Sequence, residues 1–343
     1  MIRIGVICPS EIAFRRFMPA LAQLKNIEFV GIGVCSLKER FGNTANENDV
    51  TQQKIIATEY EKAKNFINLY GGKIFNSYED ITNSNEIDAI YIPLPPALHF
   101  KWAKMALSNG KHVLVEKPST LCSSDTKTLI TLAKANNLAL HENYMFIFHN
   151  QITEIDDIIK SGEIGEIRLY RIAFGFPRRA SNDFRYNKAL GGGALIDAGG
   201  YTLKYAYKLL GESAKIKYAQ MNYTSTDEVD IYGSAALVNN NGVTAQISFG
   251  MDNNYKCELE VWGSKGCLTT NRILTAPVGY VPTVIIRKGN DEEIKQLSVD
   301  DTFKKSIEYF LNCISDAGCR EESYKYMLDQ AHLVDDFKKK AKV

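Results

Sequence analysis

Short apolar runs alternate with amphipathic stretches through residues 1–146. Ile2 to Ile7 reads as a buried strand, after which Phe14, Phe17, Met18, Leu21 and Leu24 recur at helical spacing. Further strands are predicted at 29–34, 73–75, 89–92 and 112–115, and another begins at 138–140. Helices are predicted at about 55–70, stopped by Gly71-Gly72, at 98–107, closed by Asn109-Gly110, and at 124–135, capped by Ser123 or Ser124. The Asn-, Thr- and Gln-rich stretch 41–54, with 43–53 at its centre, reads as an enlarged surface loop. Strand–helix alternation of this kind implies an α/β fold, a parallel sheet covered on both faces.

After residue 147 strand-like runs dominate, at 166–174, 234–237, 244–249, 257–262 and 281–287. Asn239 to Gly242 and Gly263 to Gly266 punctuate them as turns. The pattern predicts an α+β region with an open, mostly antiparallel sheet, closed by helices at about 302–316 and 322–341. Tyr144, Phe146 and Phe148 alternate as on a strand and so share one face, which favours a core role over a sugar platform.

A chain of 343 residues suits two domains. Lys plus Arg number 41 against 40 for Asp plus Glu, a balance that gives no long-range attraction to nucleic acid or anionic membranes. No segment approaches the roughly 20 apolar residues of a membrane span. The start, Met1 to Gly5, enters a strand pattern without the parts of a signal peptide. Seven scattered cysteines without a Cys-x-x-Cys pair fit reduced thiols in a cytoplasmic protein. Five histidines without a His-x-His or His-x-x-x-His pair argue against zinc.

Three places carry candidate chemistry. The turn after the first strand, with Cys8, Ser10, Glu11, Ile12 and Ala13, has small residues where a dinucleotide fold brings backbone N–H groups to a diphosphate. It lacks the strict Gly-x-Gly-x-x-Gly pattern, and a plain strand–turn–helix is the alternative. After the second strand no carboxylate occurs at 35–38 for a ribose 2′-hydroxyl. Ser36, Lys38 and Arg40 could instead grip a 2′-phosphate, the alternative being a solvated loop. The run Val113 to Pro118 ends a strand on Glu116 and Lys117 at the edge where open α/β sheets bind ligands, the alternative being a surface ion pair.

The stretch Gly110 to Pro118 closely resembles a signature of the glucose–fructose oxidoreductase / inositol dehydrogenase (Gfo/Idh/MocA) family, and Gly191 to Tyr201 resembles that family's second signature. Tyr91 to Pro95 with His99, and Glu142 to Phe146, also look like its segments. The resemblance covers nearly the whole chain. It implies a Rossmann dinucleotide-binding domain over 1–146, doubly wound, and a substrate-binding and oligomerisation domain over 147–343. Within the family the likeness is to nucleotide-sugar 3-ketoreductases, which share the style of Ile12 to Arg16 and of Gly242 to Gln246, and carry Tyr at the position of Tyr201. Cys8 and Pro9 depart from the usual glycine-containing pair, and Leu37 stands where relatives often place Arg.

This resemblance implies NADP(H), with NAD(H) as the alternative coenzyme. It also implies a nucleotide-linked sugar substrate and a homodimer or homotetramer, while the charge balance and hydropathy above give no nucleic-acid or membrane partner. Lys117, Tyr201 and Asp197 are the implied catalytic set. Reduction leaves negative charge on the carbonyl oxygen, which needs a proton and an electrostatic anchor. Tyr201 is the expected donor, since an ammonium such as that of Lys117 favours a phenolate. Asp197, four residues before Tyr201, is expected to orient the substrate or Lys117. Pro93, Leu94, Pro95, His99 and Glu116 join Ser10, Glu11, Ile12, Ser36, Lys38, Arg40 and Lys117 as expected coenzyme contacts. His99 either faces the coenzyme or packs a helix end. Arg185 either holds a diphosphate or carboxylate or forms a structural ion pair, and Tyr144 joins it and Tyr201 on the substrate side. Two other readings stand beside this one: an NAD(P)-dependent dehydrogenase of a free sugar, polyol or dihydrodiol, and a non-catalytic NADP-binding regulator.

Overall fold

The computed structural model describes residues 1–341 and divides into two compact units. The first comprises residues 1–120, 124–143 and 306–327. Its sheet has six parallel strands: β1 (Ile2–Ile7), β2 (Ile27–Gly33), β3 (Lys73–Phe75), β4 (Ala89–Ile92), β5 (His112–Glu116) and β6 (Leu140–Asn143). The order is β3-β2-β1-β4-β5-β6, so the winding reverses between β1 and β4. Every side chain of β4 is buried, as are Val113, Leu114 and Val115 of β5. That is what continuous apolar strands require when helices cover both faces. Gly31 of β2 lets the β3 backbone approach, since a Cβ there would strike the Lys73 carbonyl.

The connections are helical. A π-helical turn, Ala13–Phe17, runs into α1 (Met18–Leu21). Then come α2 (Leu37–Phe41), α3 (Val50–Tyr70), α4 (Tyr78–Asn83), α5 (Pro96–Ser108) and α6 (Ser123–Ala135). The stretch expected as a loop at 41–54 is mostly ordered. A 3-10 turn fills Gly42–Thr44, and α3 begins at Val50 rather than near 55. The Asp49 side chain accepts from the backbone N–H groups of Thr51 and Gln52. Gln52 donates to the Thr44 carbonyl, so side-chain amides close the turn without apolar periodicity. Helix α4 was not expected. Ser77 Oγ accepts from Asp80 N at 2.8 Å, and Glu39 accepts from Tyr78 N and Glu79 N.

The second unit comprises residues 121–123, 144–305 and 328 onward. Eight strands form its sheet: β7 (Ile167–Gly175), β8 (Lys215–Asn222), β9 (Tyr232–Val238), β10 (Thr244–Gly250), β11 (Lys256–Gly263), β12 (Cys267–Asn271), β13 (Thr283–Lys288) and β14 (Asp291–Gln296). The order is β14-β13-β12-β11-β7-β10-β9-β8, antiparallel except for the parallel β7–β10 pair. This is the open, mostly antiparallel sheet that the sequence predicts. One face packs α8 (Gly200–Leu210) and the π-helix Leu195–Gly199 over β7 and β10, with Ile172 and Phe249 in the shared core. Helix α7 (Asn150–Lys160) precedes the sheet. Helices α9 (Thr302–Ser315) and α10 (Ala317–Lys340) end the chain.

The strand expected through Tyr144, Phe146 and Phe148 is not formed. Strand β6 stops at Asn143 and Met145–Phe148 is a 3-10 turn. Tyr144 and Phe146 are nonetheless buried, with their rings edge to face at 6.5 Å. Among the described residues no helix is long and apolar enough to cross a membrane, and no group of three or more His, Cys, Asp or Glu side chains is placed to hold a metal.

Candidate active site

In a doubly wound sheet ligands bind outside the carboxyl ends of the strands, where the winding reverses. Here that is the edge after β1 and β4. Cys8, just past β1, has φ 78°, a left-handed conformation that favours glycine. The backbone therefore makes a glycine-type turn without the glycine, and Cys8 N donates to Gly33 O at 3.0 Å. Ser10 Oγ accepts from Ala13 N at 3.2 Å, leaving Glu11 and Ile12 exposed at the head of the helix. An open helix N-terminus behind such a turn fits a diphosphate.

After β2, Ser36 caps α2. Its Oγ accepts from Glu39 N at 3.3 Å, and the Glu39 carboxylate accepts from Ser36 N at 2.7 Å. Lys38 and Arg40 are exposed on the same short helix. A hydroxyl and two cations at the end of β2 fit a phosphorylated ribose. Glu39, the acid nearest in sequence, is consumed by capping α2 and α4 together.

The ends of β4 and β5 bring another group of expected residues together. His99 on α5 is fully buried, with Nδ1 2.7 Å from Pro118 O and Nε2 2.7 Å from Leu94 O. It ties the Pro93-Leu94-Pro95 turn to the segment just after Lys117. Burial pushes this imidazole down to about 4. A neutral ring has one N–H, so it donates to one of the two carbonyls. Of its two expected roles, His99 takes the packing one. Glu116 at the end of β5 accepts from Tyr91 OH at 2.7 Å and from Asn143 Nδ2 at 2.6 Å, both on Oε1. Burial raises its carboxyl despite these donors. Tyr91 is itself stacked on Phe17, with ring centroids 3.8 Å apart.

The second unit gathers Asp197, Tyr201, Arg185 and Tyr144. Gly193 has φ 122°, and a Cβ there would meet the Asp230 carboxylate. The chain then enters the π-helix that carries Asp197 and leads into α8 with Tyr201. Asp230 holds this start: its backbone oxygen accepts from Ala194 N at 2.8 Å and Oδ2 from Leu195 N at 2.7 Å. Burial pushes Asp230 up to about 6. Arg185 Nε donates to Asp197 Oδ2 at 2.6 Å while Nη1 donates to Asp183 Oδ1 at 3.1 Å. Arg185 therefore pairs with both Asp197 and Asp183. The Tyr201 ring lies 5.2 Å from Tyr144, 5.6 Å from Phe146 and 5.4 Å from Phe174. Tyr144, 1% exposed, thus backs Tyr201.

Two residues with visible roles were missed in the sequence. Asp230 lies 35 positions from the backbone N–H that it holds, so no local pattern reveals it. Glu59, on α3, reaches the ends of β1 and β2: it accepts from Cys35 Sγ at 2.5 Å, Cys8 Sγ at 3.6 Å and Tyr78 OH at 3.2 Å.

A model of an oxidoreductase family with an NAD-binding Rossmann fold matches residues 25–144, and one of a GFO/IDH/MocA C-terminal domain matches residues 152–269. The chain is 35% identical to a dTDP-3,4-didehydro-2,6-dideoxy-alpha-D-glucose 3-reductase of Actinomadura kijaniata, covering 97% of this chain and 94% of that protein. It is 33% identical to the protein of the same name from Streptomyces violaceoruber, covering 97% and 94%. Among solved structures it is similar to a 3-ketoreductase from Actinomadura kijaniata in complex with NADP and TDP-benzene. The TM-score is 0.89 at 34% identity, covering 99% of this chain and 97% of that one.

Proposed function

Because the chain belongs to the Gfo/Idh/MocA family of oxidoreductases, we propose that it reduces a keto group on a nucleotide-linked sugar with NADPH. The observation that carries this reading is the likeness, over nearly the whole chain, to dTDP-sugar 3-reductases. NADP(H) is the preferred coenzyme and NAD(H) the alternative. When bound, the reduced coenzyme supplies a hydride to the carbonyl carbon. The chain supplies a proton and an anchor for the charge that develops on oxygen.

In this reading Tyr201 gives its phenolic proton to that oxygen, and the Lys117 ammonium stabilises the phenolate left behind. Asp197, neutralised by Arg185, fixes the helical turn that presents Tyr201. Arg185 and Tyr144 act on the substrate side through Asp197 and Tyr201, which they touch. Ser10, Glu11 and Ile12 meet the diphosphate through their backbone. Ser36, Lys38 and Arg40 take the 2′-phosphate. Pro93, Leu94 and Pro95, tied down by His99, form with Glu116 and Lys117 the edge that receives the nicotinamide.

The coenzyme domain then spans 1–146 in sequence, with 306–327 packed into the same compact unit, and the rest of 147–343 is the substrate and oligomerisation domain. The protein works in the cytoplasm as a homodimer or homotetramer, with exposed Tyr218, Tyr232 and Trp262 on the open sheet supporting that surface as the contact. The test is loss of reduced-nicotinamide absorbance with a dTDP-linked 3-ketosugar against free sugars, polyols and a dihydrodiol. Turnover of the nucleotide-linked ketone is expected. Turnover of the free compounds alone refutes the reading, and coenzyme binding without turnover of any of them favours a regulator.

A further inference from the structure

Selectivity for the adenosine ribose is decided at the carboxyl end of the second strand of a dinucleotide fold, where a carboxylate favours a free 2′-hydroxyl and cations favour a 2′-phosphate. The residues after β2 give one side of that choice, with Lys38 and Arg40 exposed and Leu37 between Ser36 and Lys38. Glu39 is fully engaged by backbone N–H groups. A second carboxylate arrives from elsewhere. Glu59 sits in the third turn of α3, on the segment beyond the enlarged connection. Its two oxygens receive the thiols of Cys8 and Cys35 and the hydroxyl of Tyr78. Cys8 follows the last residue of β1 by one position and Cys35 follows that of β2 by two. The carboxylate therefore lies at the β1–β2 edge, away from the β4–β5 edge that carries Glu116 and Lys117.

Its donors are neutral groups. A thiol is a weak donor, so the charge is oriented but not cancelled. Both thiols are pushed up, by burial first and then by Glu59, while Arg40 opposes the rise. Glu59 and Arg40 thus act on one spot with opposite sign.

We propose that Glu59 is a coenzyme-selectivity residue, its carboxylate opposing the 2′-phosphate that Lys38 and Arg40 attract and so keeping NADH a usable partner beside NADPH. This inference rests on the oxidoreductase reading above and assigns coenzyme choice to a residue outside the loop that follows β2.

The experiment is fluorescence titration of the purified full chain with NADPH and with NADH, without sugar. Removing one like charge near a phosphate at partly screened distance is expected to tighten NADPH about tenfold. In Glu59→Gln the NADPH Kd should fall by that factor while the NADH Kd stays level or rises. Glu59→Asp, which keeps the charge but withdraws it by one methylene, should move the ratio the same way by less. Circular dichroism and Tm establish that each variant is folded. If Glu59→Gln does not fold, Glu59→Asp decides. A ratio of the two Kd values within about twofold of wild type in the folded variants overturns the proposal. Wild-type protein that binds neither coenzyme overturns the oxidoreductase reading instead.

Discussion

At the edge of the parallel sheet, Glu116 is held by a tyrosine hydroxyl and an asparagine amide, and His99 by two backbone carbonyls. At the glycine-rich turn of the second unit, Asp197 is held by the Arg185 guanidinium, which Asp183 shares. The first group relies on neutral partners, which orient a titratable side chain without paying out charge. The second relies on ion pairing inside a half-buried triad. Neutral partners let burial raise the Glu116 carboxyl, whereas at Arg185 burial pulls the guanidinium down and the carboxylates of Asp197 and Asp183 outweigh it and hold it above its ordinary value. In the proposed function the first arrangement suits a region that meets a charged coenzyme, and the second suits a turn that holds the phenol of Tyr201.

The largest expected effect is at Tyr201. Tyr201→Phe keeps the ring packing against Tyr144, Phe146 and Phe174 and removes the proton. Turnover should fall about 10²–10⁴-fold, with Tm nearly unchanged. Full turnover would exclude Tyr201 as the proton donor.

Next comes the ion pair. Arg185→Met leaves two carboxylates uncompensated and should cost about 3 kcal/mol in denaturant unfolding. Glu116→Gln retains an acceptor for Tyr91 and Asn143 and should cost less than about 1 kcal/mol. Equal losses would erase the difference between the two arrangements.

Stability against pH sharpens it further. His99 has its folded-state pKa pulled from 6.5 to about 4 by burial. Its contribution is therefore full above pH 6.5 and disappears as pH falls through 4. Asp230 is raised from 3.8 to about 6, again by burial. Its contribution is full below pH 3.8 and disappears as pH rises through 6. Relative to His99→Gln, the wild type should lose about 3 kcal/mol on going from pH 6.5 to 4. Relative to Asp230→Asn it should gain about as much over nearly the same window. Slopes of one sign in both pairs would contradict the assignments.

The smallest effect is at Cys8. Cys8→Gly and Cys8→Ala both lose the thiol, but only glycine accepts φ 78° without strain. The glycine variant should be about 1 kcal/mol more stable than the alanine one, as read from chemical denaturation.

What could be read in the sequence follows the same division. Strands β4 and β5 and helices α5 and α9 were legible because continuous apolar runs or helical spacing meet clear stops, such as Asn109-Gly110. The positions of Glu116 and Lys117 at the end of β5 were legible with them. Strand β14, Asp291–Gln296, is an edge strand with almost no apolar residue and gave no alternation to detect. Helix α4 depends on Glu39, some 40 residues earlier, for its N-terminal N–H groups. The beginning of α3 depends on an Asp49 cap within a polar stretch. Glu59 and Asp230 were invisible because what defines them is reach across the fold: Glu59 is 51 residues from Cys8, and Asp230 is 35 from Leu195. An ion pair at Arg185 was one of two alternatives, and its partner Asp197, twelve positions on across two short 3-10 turns, was not foreseen.

In the proposed function Lys117 and Tyr201 serve one oxygen. A double-mutant cycle in kcat/KM, with NADPH and a dTDP-linked 3-ketosugar, tests it most directly. Lys117→Met combined with Tyr201→Phe should lose no more than about tenfold beyond the worse single variant, as for groups acting as a unit. A double variant whose loss equals the product of the two single losses would contradict it.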